Sequence, residues 1–411
     1  MNSVSIFMSF SEQITSLTGQ AEEFIISSRR FLHQIPELAF EEFKSAAFVA
    51  DTLLKLGFEP RCNIAGTGIT ADLHFPKPGP RLLIRADMDA LPVQEATGLP
   101  FASTHNGRMH ACGHDGHTAM LLGTARALKE LSLIEAGAAL GGSVRFLFQP
   151  AEEAIGGAGP MVQAGVLEGV HACLAAHIWP PIPEGAIGVR RGPLMAATDR
   201  FEITLTGTGG HGAQPHLCTD ALDAAVQLAG ALQRVVGRRI NPLLPAVLTV
   251  ACIQAGDTYN VIPQTALLKG SARAFQSEVR DVWEKHIVQI TRGISESMGV
   301  AYDVNYMPGH GPVCNDADVT ALVGKAAARV LSPAHVVEPD MTLTGEDFSV
   351  YQETVPGCMF FVGAGKDGGK PLHHPGFTFD ESILLTGVRV FCEAALELLT
   401  THQNSTVSSI I

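Results

Sequence analysis

The chain has 411 residues, of which 46% are hydrophobic and 17% are charged, so it is long enough for two domains with substantial cores. Its 28 Lys and Arg against 41 Asp and Glu give a formal net charge of -13, which argues against a nucleic-acid partner. It has no apolar run of about 18 residues, no signal-peptide pattern and few, irregularly spaced cysteines, so we expect a cytoplasmic protein with reduced thiols and no membrane partner.

Strand and helix patterns alternate through the two ends of the sequence. Apolar residues recur at spacings of three and four over 21–57, which predicts two helices separated by Ile35 and Pro36. Short apolar runs bounded by turn residues predict buried strands, and helical patterns lie between them. This alternation is typical of an α/β fold with an open, mostly parallel sheet and helices on both faces. The strands cover 81–86, 144–148, 172–176 and 358–363, and the helices cover 118–130, 319–330 and 383–399.

The middle of the chain has a different pattern. Residues 201–207 alternate apolar and polar side chains, and the elements that follow give the order βαββαβ, which is typical of a ferredoxin-like α+β unit. The ends of such a unit can lie close together, so it can be inserted into another domain. We therefore predict a metal-binding catalytic domain over 1–195 and 312–411, and an inserted lid or dimerisation domain over 196–311.

The most informative motif is M-H-A-C-G-H-D-G-H at 109–117, between a polar loop and a helix. Cys112 and His114 stand two residues apart on this turn, and Gly113 permits a tight backbone path. A thiolate and an imidazole placed in this way can point at one metal ion. The pair alone is a weak signal, so its interpretation depends on other donors in the chain.

Further donors follow the predicted strands, at the positions where open sheets bind their ligands. Glu152 and Glu153 come after the strand ending at Phe148. Adjacent side chains point in different directions, so one carboxylate can bind metal while the other accepts a proton from water. Each such residue is common in structural roles, but together they favour a metal-dependent hydrolytic site. The remaining donors at strand ends are Asp87, Asp89, His177, His373 and His374.

Three polar residues of the middle segment are candidates for binding substrate. His211 lies on a glycine-rich turn, Asn260 lies in D-T-Y-N-V-I-P, and Arg273 lies in G-S-A-R-A-F. An arginine fork can bind both oxygens of a carboxylate. Taken singly, Asn260 would cap a turn and Arg273 would be a surface cation, so their roles depend on the rest of the sequence.

Seven sequence blocks, in order and over nearly the whole chain, resemble peptidase family M20. The resemblance is to its amidohydrolase branch, which includes hippurate hydrolases, N-acyl amino acid hydrolases and indoleacetyl-amino acid hydrolases. The blocks are R-A-D-M-D-A-L-P from Arg85, M-H-A-C-G-H-D-G-H from Met109, Q-P-A-E-E from Gln149, G-G-H-G-A-Q-P-H from Gly209, N-V-I-P from Asn260, G-E-D-F from Gly345 and L-H-H-P-G-F-T-F-D from Leu372.

The resemblance implies an enzyme that uses two divalent metal ions per subunit to hydrolyse the amide bond of N-acyl amino acids. Zinc and manganese are the first expectation, with cobalt and nickel as alternatives. Three acidic residues, Asp87, Asp89 and Asp347, are expected to support the ligands without binding metal. The implied ligands are Cys112 as the bridge between the ions, Glu153 and His373 on one ion, and His114 and His177 on the other.

The same resemblance implies roles for the remaining candidates. Glu152 is expected to be the general base that takes a proton from water. His211 would stabilise the oxyanion from the partner subunit of a homodimer, and Asn260 and Arg273 would hold the carboxylate of the amino acid.

Two departures and two rival interpretations remain open at this stage. The branch usually has a small polar residue where this chain has His374, which leaves His373 and His374 as alternative ligands, although the register with L-H-x-P favours His373. The branch usually has a serine where this chain has Gly345, a change expected to alter a hydrogen bond near the substrate without removing a ligand. One rival makes Cys112 a covalent nucleophile with His114 as its base, and chelation of metal would leave such an enzyme active. The other rival is a catalytically silent binding protein that keeps the fold.

Overall fold

Helices form where apolar residues recur at helical spacing. The computed structural model describes residues 9–154 and 156–407. Short 3-10 turns lie at Pro215–Leu217 and Pro333–His335. The α-helices are α1 Phe10–Gln20, α2 Glu22–Gln34, α3 Phe43–Lys55, α4 His114–Ser132, α5 Glu135–Ala138, α6 Ala158–Gln163, α7 Ala221–Leu232, α8 Arg234–Arg239, α9 Ser277–Arg280, α10 Trp283–Met298, α11 Ala317–Val330, α12 Ser349–Gln352 and α13 Ser382–Val407.

The strands include every one predicted from the sequence, together with short strands that have no clear apolar pattern. They are β1 Arg61–Ile64, β2 Gly68–His74, β3 Lys77–Asp87, β4 Gly141–Gln149, β5 Ala172–Pro183, β6 Ile187–Gly188, β7 Gly192–Met195, β8 Ala197–Thr206, β9 Gly210–His211, β10 Ala246–Gln254, β11 Val261–Ile262, β12 Thr265–Ala274, β13 Ala301–Met307, β14 Val313–Asn315, β15 Val336–Val337 and β16 Gly357–Gly365.

Eight strands form one sheet in the order β1-β2-β4-β3-β5-β16-β6-β15. Its four central strands, β4, β3, β5 and β16, are parallel to their neighbours in this group, whereas β1, β2 and β6 introduce antiparallel pairs. The predicted α/β class with a mainly parallel sheet is therefore confirmed. Because the central strands run in one direction, their carboxyl ends meet at one edge, where open sheets bind ligands.

The central strands are buried because helices cover the sheet, which is why they read as nearly continuous apolar runs. All nine residues of β16 except the last are buried. Helix α4 is buried on almost every side and contacts β3, β5 and the helices α2 and α13. This packing fixes the amino end of α4, which carries His114, against the sheet.

A second sheet has four antiparallel strands in the order β10-β12-β8-β13. The four strands of this sheet and the two longest helices of the unit follow the order β8, α7, β10, β12, α10, β13, which is the predicted βαββαβ order, with the short elements β9, α8, β11 and α9 between them. Helices α7 and α10 contact each other and this sheet. Phe201, Leu228 and Trp283 are fully buried in the core between them.

The chain divides into two units, one containing the eight-stranded sheet and the other the four-stranded sheet. The first comprises Met1–Gly192, Cys314–Asp340 and Val350–Ile411, and the second comprises Pro193–Val313 and Met341–Ser349. Met341–Ser349 is predicted from the sequence to lie in the metal-binding domain, whereas the structure places this segment in the second unit. No local sequence pattern marks the segment as part of the second unit. The lid and dimerisation roles of the second unit stay predictions. Within the described ranges, no helix is both long enough and apolar enough to cross a membrane.

Candidate metal centre

The carboxyl ends of the central strands of the first unit bring the predicted donors together. Asp87 is the last residue of β3, and Glu152 and Glu153 follow β4. His177 lies in β5 beside Phe361 of β16. These strands are neighbours in the sheet, so residues far apart in sequence become adjacent.

Cys112 reaches the same place from the turn before α4. Gly113, the N-cap residue of this helix, has a φ of +88°, a left-handed conformation that glycine adopts without strain. This turn places Cys112 just before the helix and His114 at its first position. The Cys112 thiol is buried, and its sulfur lies 3.6 Å from Nε2 of His177.

Two sets of ligand atoms share the Cys112 thiol. The potential ligand atoms of Cys112, His114 and His177 all lie within 4.8 Å of one another, and the same holds for those of Cys112, Glu153 and His373. A carboxylate oxygen of Glu152 belongs to a third such set, with His114 and Glu153. The first two sets therefore have one thiol in common.

Hydrogen bonds at the far side of each imidazole orient the rings. His177 Nδ1 lies 2.8 Å from the Ile178 carbonyl oxygen, and His114 Nδ1 lies 2.9 Å from the Asp89 carbonyl oxygen. A carbonyl can only accept, so each Nδ1 carries the proton and donates it. Each Nε2 is thereby turned towards the cluster, an arrangement common among metal-binding histidines.

His117 is a buried residue of this site to which the sequence analysis gave no role. Its Nε2 accepts a hydrogen bond of 2.9 Å from the Ile178 backbone N–H, so its Nδ1 must donate to Asp87 Oδ1, which is 2.7 Å away. His117 thus links the end of β3 to the strand that carries His177. Its spacing of three residues after His114, on one face of α4, is the sequence signal for this role.

Carboxylates surround the thiol and imidazole donors of the cluster and shift their pKa values. Burial, together with the nearby carboxylates of Glu153 and Glu152, raises the pKa of the Cys112 thiol well above its ordinary value. Burial opposes a charge on His114, but Asp87 and Asp89 outweigh burial and raise its pKa to about 10. Both shifts mean that protons occupy donor atoms beside carboxylates. A cation would replace those protons.

Within the described part of the chain, the buried Nε2 of His114 makes no hydrogen bond. It lies 3.9 Å from Oε1 of Glu153. Burial lowers the pKa of His177 to about 3, so this ring is neutral and its Nε2 lone pair is available. Thiol, imidazole and carboxylate donors fit a pair of divalent metal ions.

The geometry distinguishes the two adjacent histidines of the turn after β16. His373 has a φ of +64°, its N–H donates to the Ala111 carbonyl at 2.8 Å, and its Nε2 lies 3.2 Å from Glu153 Oε1. His374 instead accepts at Nδ1 from the Gly376 N–H at 2.9 Å, inside its own turn. Of these two histidines, only His373 belongs to one of the groups of potential metal ligands, the one with Cys112 and Glu153.

The second unit contains the other four predicted site residues. His211 and Asn260 are exposed and adjacent, since β9 pairs with β11 and the Gly212 N–H donates to the Asn260 carbonyl at 2.8 Å. Arg273 is partly buried and donates through Nη1 to Thr198 Oγ1 and to the Leu343 carbonyl, each at 3.0 Å. Asp347 is buried in the segment Met341–Ser349.

Comparison with known proteins identifies the family. The model of peptidase family M20/M25/M40 matches residues 83–397. The chain belongs to this family. It is 43% identical over 387 residues to the N-acetyl-L-cysteine deacetylase of Bacillus subtilis, covering 94% of this chain and 91% of that protein. It is 44% identical over 305 residues to the N-acyl-L-amino acid amidohydrolase of Geobacillus stearothermophilus, covering 74% and 81%.

A solved structure of an M20 family protein agrees with this assignment. The Bacillus subtilis YXEP protein, described as a dinuclear metal binding peptidase from the M20 family, is 38% identical and superimposes with a TM-score of 0.81 over 93% of this chain and 99% of that chain. The protein is therefore an M20 family hydrolase with the fold of a dinuclear metalloenzyme.

The geometry of the turn after β16 predicts different metal contents for two adjacent variants of this M20 hydrolase. His373→Ala should lose one of two ions per chain, because it removes a donor from one set. His374→Ala is the matched control and should retain both, since its ring stays inside the turn. Elemental analysis of the purified variants measures this, and the reverse pattern would show that the ligand is His374.

Proposed function

We propose that this M20 hydrolase cleaves the amide bond of N-acyl or N-aroyl amino acids, releasing a carboxylic acid and an amino acid. The observation that carries the proposal is the Cys112 thiol shared by two sets of metal-binding atoms, with Glu152 beside them. The names of the two relatives, a deacetylase of N-acetyl-L-cysteine and an amidohydrolase of N-acyl-L-amino acids, support the substrate class.

Five side chains would hold two divalent ions, with Cys112 as the shared ligand. The bound ions would lower the pKa of a water molecule and polarise the acyl carbonyl. Zinc and manganese suit this mixture of donors, and cobalt and nickel are alternatives. The remaining ligands would be His114 and His177 for one ion, and Glu153 and His373 for the other.

Glu152 would act as the general base. Its neighbour Glu153 turns into the cluster and donates its backbone N–H to Asp89 Oδ2 at 2.9 Å. A carboxylate oxygen of Glu152 lies within 4.8 Å of ligand atoms of both His114 and Glu153. From there Glu152 would take a proton from the attacking water and pass it to the leaving amine nitrogen.

The environment of Cys112 argues against the rival interpretation, in which it is a covalent nucleophile. A thiol needs a lowered pKa to act as a nucleophile, whereas burial and two carboxylates raise the pKa of Cys112. The ring nitrogen 3.6 Å from the Cys112 sulfur belongs to His177, and burial lowers the pKa of this ring to about 3. Such an imidazole is a poor base for a thiol and a suitable metal ligand.

Arg273 and Asn260 would bind the carboxylate of the amino acid. Two hydrogen bonds through Nη1 hold the Arg273 guanidinium in one plane, which suits recognition of a planar carboxylate. A panel of acetyl, benzoyl, indoleacetyl and fatty-acyl amino acids would identify the acyl group. The corresponding amino acid amides, which lack the carboxylate, should be poor substrates.

The Glu152→Gln variant tests the proposed general base. The amide preserves the shape of the side chain but cannot accept a proton, so turnover should fall by about 10²-fold or more while both ions remain bound. Glu184→Gln, at an exposed glutamate, is the control and should keep full turnover. Metal content and kcat are measured on the same samples. Two ions with nearly full turnover in Glu152→Gln would refute this role.

His211 would donate a hydrogen bond to the oxyanion formed from the acyl carbonyl, and we propose that it acts in the partner subunit of a homodimer. Its Nδ1 accepts from the Ala213 N–H at 3.1 Å, so in the neutral ring the proton is on Nε2, at the exposed end. Loss of one such donor typically lowers turnover by about 10² to 10³-fold.

Subunit exchange tests whether His211 acts across a dimer. The His211→Ala and Glu152→Gln homodimers should each be nearly inactive, but their mixed dimer should regain activity because one of its sites combines both intact residues. Native mass spectrometry measures the fraction of mixed dimer in each sample. Mixed dimers without recovered activity would contradict the exchange of His211 between subunits.

A further inference from the structure

Glu42 is a fully buried glutamate that contacts the loop carrying Glu152 and Glu153. Its Oε1 accepts a hydrogen bond of 2.9 Å from the backbone N–H of Ala151. The same oxygen accepts from the Phe40 N–H at 2.9 Å, and Oε2 accepts from Thr67 Oγ1 at 2.6 Å. Both carboxylate oxygens are therefore used, and one of them reaches the residue that precedes Glu152.

The position of Glu42 in its own helix does not explain these contacts. Glu42 is the N-cap residue of α3, yet its side chain makes no capping hydrogen bond. Another glutamate serves that helix, since Glu37 accepts from the N–H groups of Lys44 and Ser45, each at 2.9 Å. Because Glu37 accepts from N–H groups in the first turn of α3, the side chain of Glu42 is available to contact the loop after β4.

The loop needs such a contact because its backbone is strained. Ala151 has a φ of +55°, a left-handed conformation that an alanine adopts only when its surroundings impose it. The Ala151 carbonyl in turn accepts from the Gly157 N–H at 2.9 Å. Glu42 therefore accepts a hydrogen bond from the backbone N–H of the strained residue itself.

A second carboxylate holds the same loop two residues later. Asp89 Oδ2 accepts from the Glu153 N–H at 2.9 Å. Glu152 thus lies between two residues, Ala151 and Glu153, whose N–H groups are both bound by buried carboxylates. These two contacts hold the backbone on both sides of Glu152.

We propose that Glu42 is a positioning residue for Glu152, which it aims at the cluster by holding Ala151 in its left-handed conformation. The inference rests on the proposed role of Glu152 as general base. Without the Glu42 contact, Ala151 relaxes towards ordinary backbone angles and the Glu152 carboxylate moves away from the water. A displacement of about 1 Å can lower turnover on the order of 10²-fold. The metal ligand Glu153 is still held through Asp89.

Three variants of Glu42 test the proposal in the full-length protein. Glu42→Leu removes the acceptor, and kcat should fall by about 10²-fold while the protein retains two ions per chain and its KM changes little. Glu42→Gln keeps an amide oxygen that can accept from Ala151, so it should restore most of the turnover. If Glu42→Leu does not fold, Glu42→Asp replaces it, because the shorter side chain keeps its charge but withdraws from Ala151.

Hydrogen exchange of the segment 149–157 provides a readout that needs no substrate. Exchange in this segment should rise in Glu42→Leu and stay close to wild type in Glu42→Gln. Glu37→Leu is the matched control, a buried glutamate of the same region that caps α3. It should lower the melting temperature while leaving exchange in 149–157 and kcat unchanged.

The outcomes separate this inference from the proposed function. Unchanged exchange in 149–157 in Glu42→Leu, or raised exchange with wild-type kcat, would overturn the positioning role. An equal loss of kcat in Glu37→Leu would also overturn it, because the effect would then be general destabilisation. If Glu152→Gln itself kept full turnover, the proposed base would be wrong, and the exchange experiment would still show whether Glu42 holds the loop.

Discussion

The site depends on a buried thiol that two sets of donor atoms share. Cys112 is close enough to His114 and His177 on one side, and to Glu153 and His373 on the other, to contribute to both sets. Burial and neighbouring carboxylates disfavour a thiolate there. A Cys112 thiolate is therefore stable only beside a compensating positive charge. Two divalent ions would provide that charge, and the proposed chemistry would follow from their presence.

The direction of the central strands explains why these residues meet. β4, β3, β5 and β16 are neighbouring parallel strands, and parallel strands place their carboxyl ends at a common edge. The amino end of α4 reaches the same edge with Cys112 and His114. Buried hydrogen bonds then fix the rings, through Asp89 for His114 and through Ile178 for His177.

Much of this arrangement could be predicted from the sequence, because local patterns carry it. Apolar runs predicted the central strands, and polar residues directly after them predicted the donors. The βαββαβ order of the second unit was predicted from its alternation of strand and helix patterns. The roles given to individual donors came from the resemblance to the M20 family and stay predictions.

The remaining features depend on contacts between distant parts of the chain. Ala151 and Glu42 are 109 residues apart, and neither is unusual for its local pattern, so nothing in the sequence links them. His117 bonds to Asp87 across 30 residues. Likewise, the segment Met341–Ser349 joins the second unit through long-range contacts such as the Ala196 N–H donating to the Thr342 carbonyl.

The central claim is that Cys112 serves two ions, and metal content tests it most directly. Wild-type protein should bind two ions per chain, and Cys112→Ser should bind fewer than one, because a neutral hydroxyl replaces a bridging thiolate poorly. Cys62→Ser, at an exposed cysteine, controls for the substitution itself. Elemental analysis after equilibration of each protein with the same buffered concentration of free metal ion gives the number of ions per chain. If Cys112→Ser retained two ions per chain with wild-type affinity, Cys112 would not be the bridge, and the account would be contradicted.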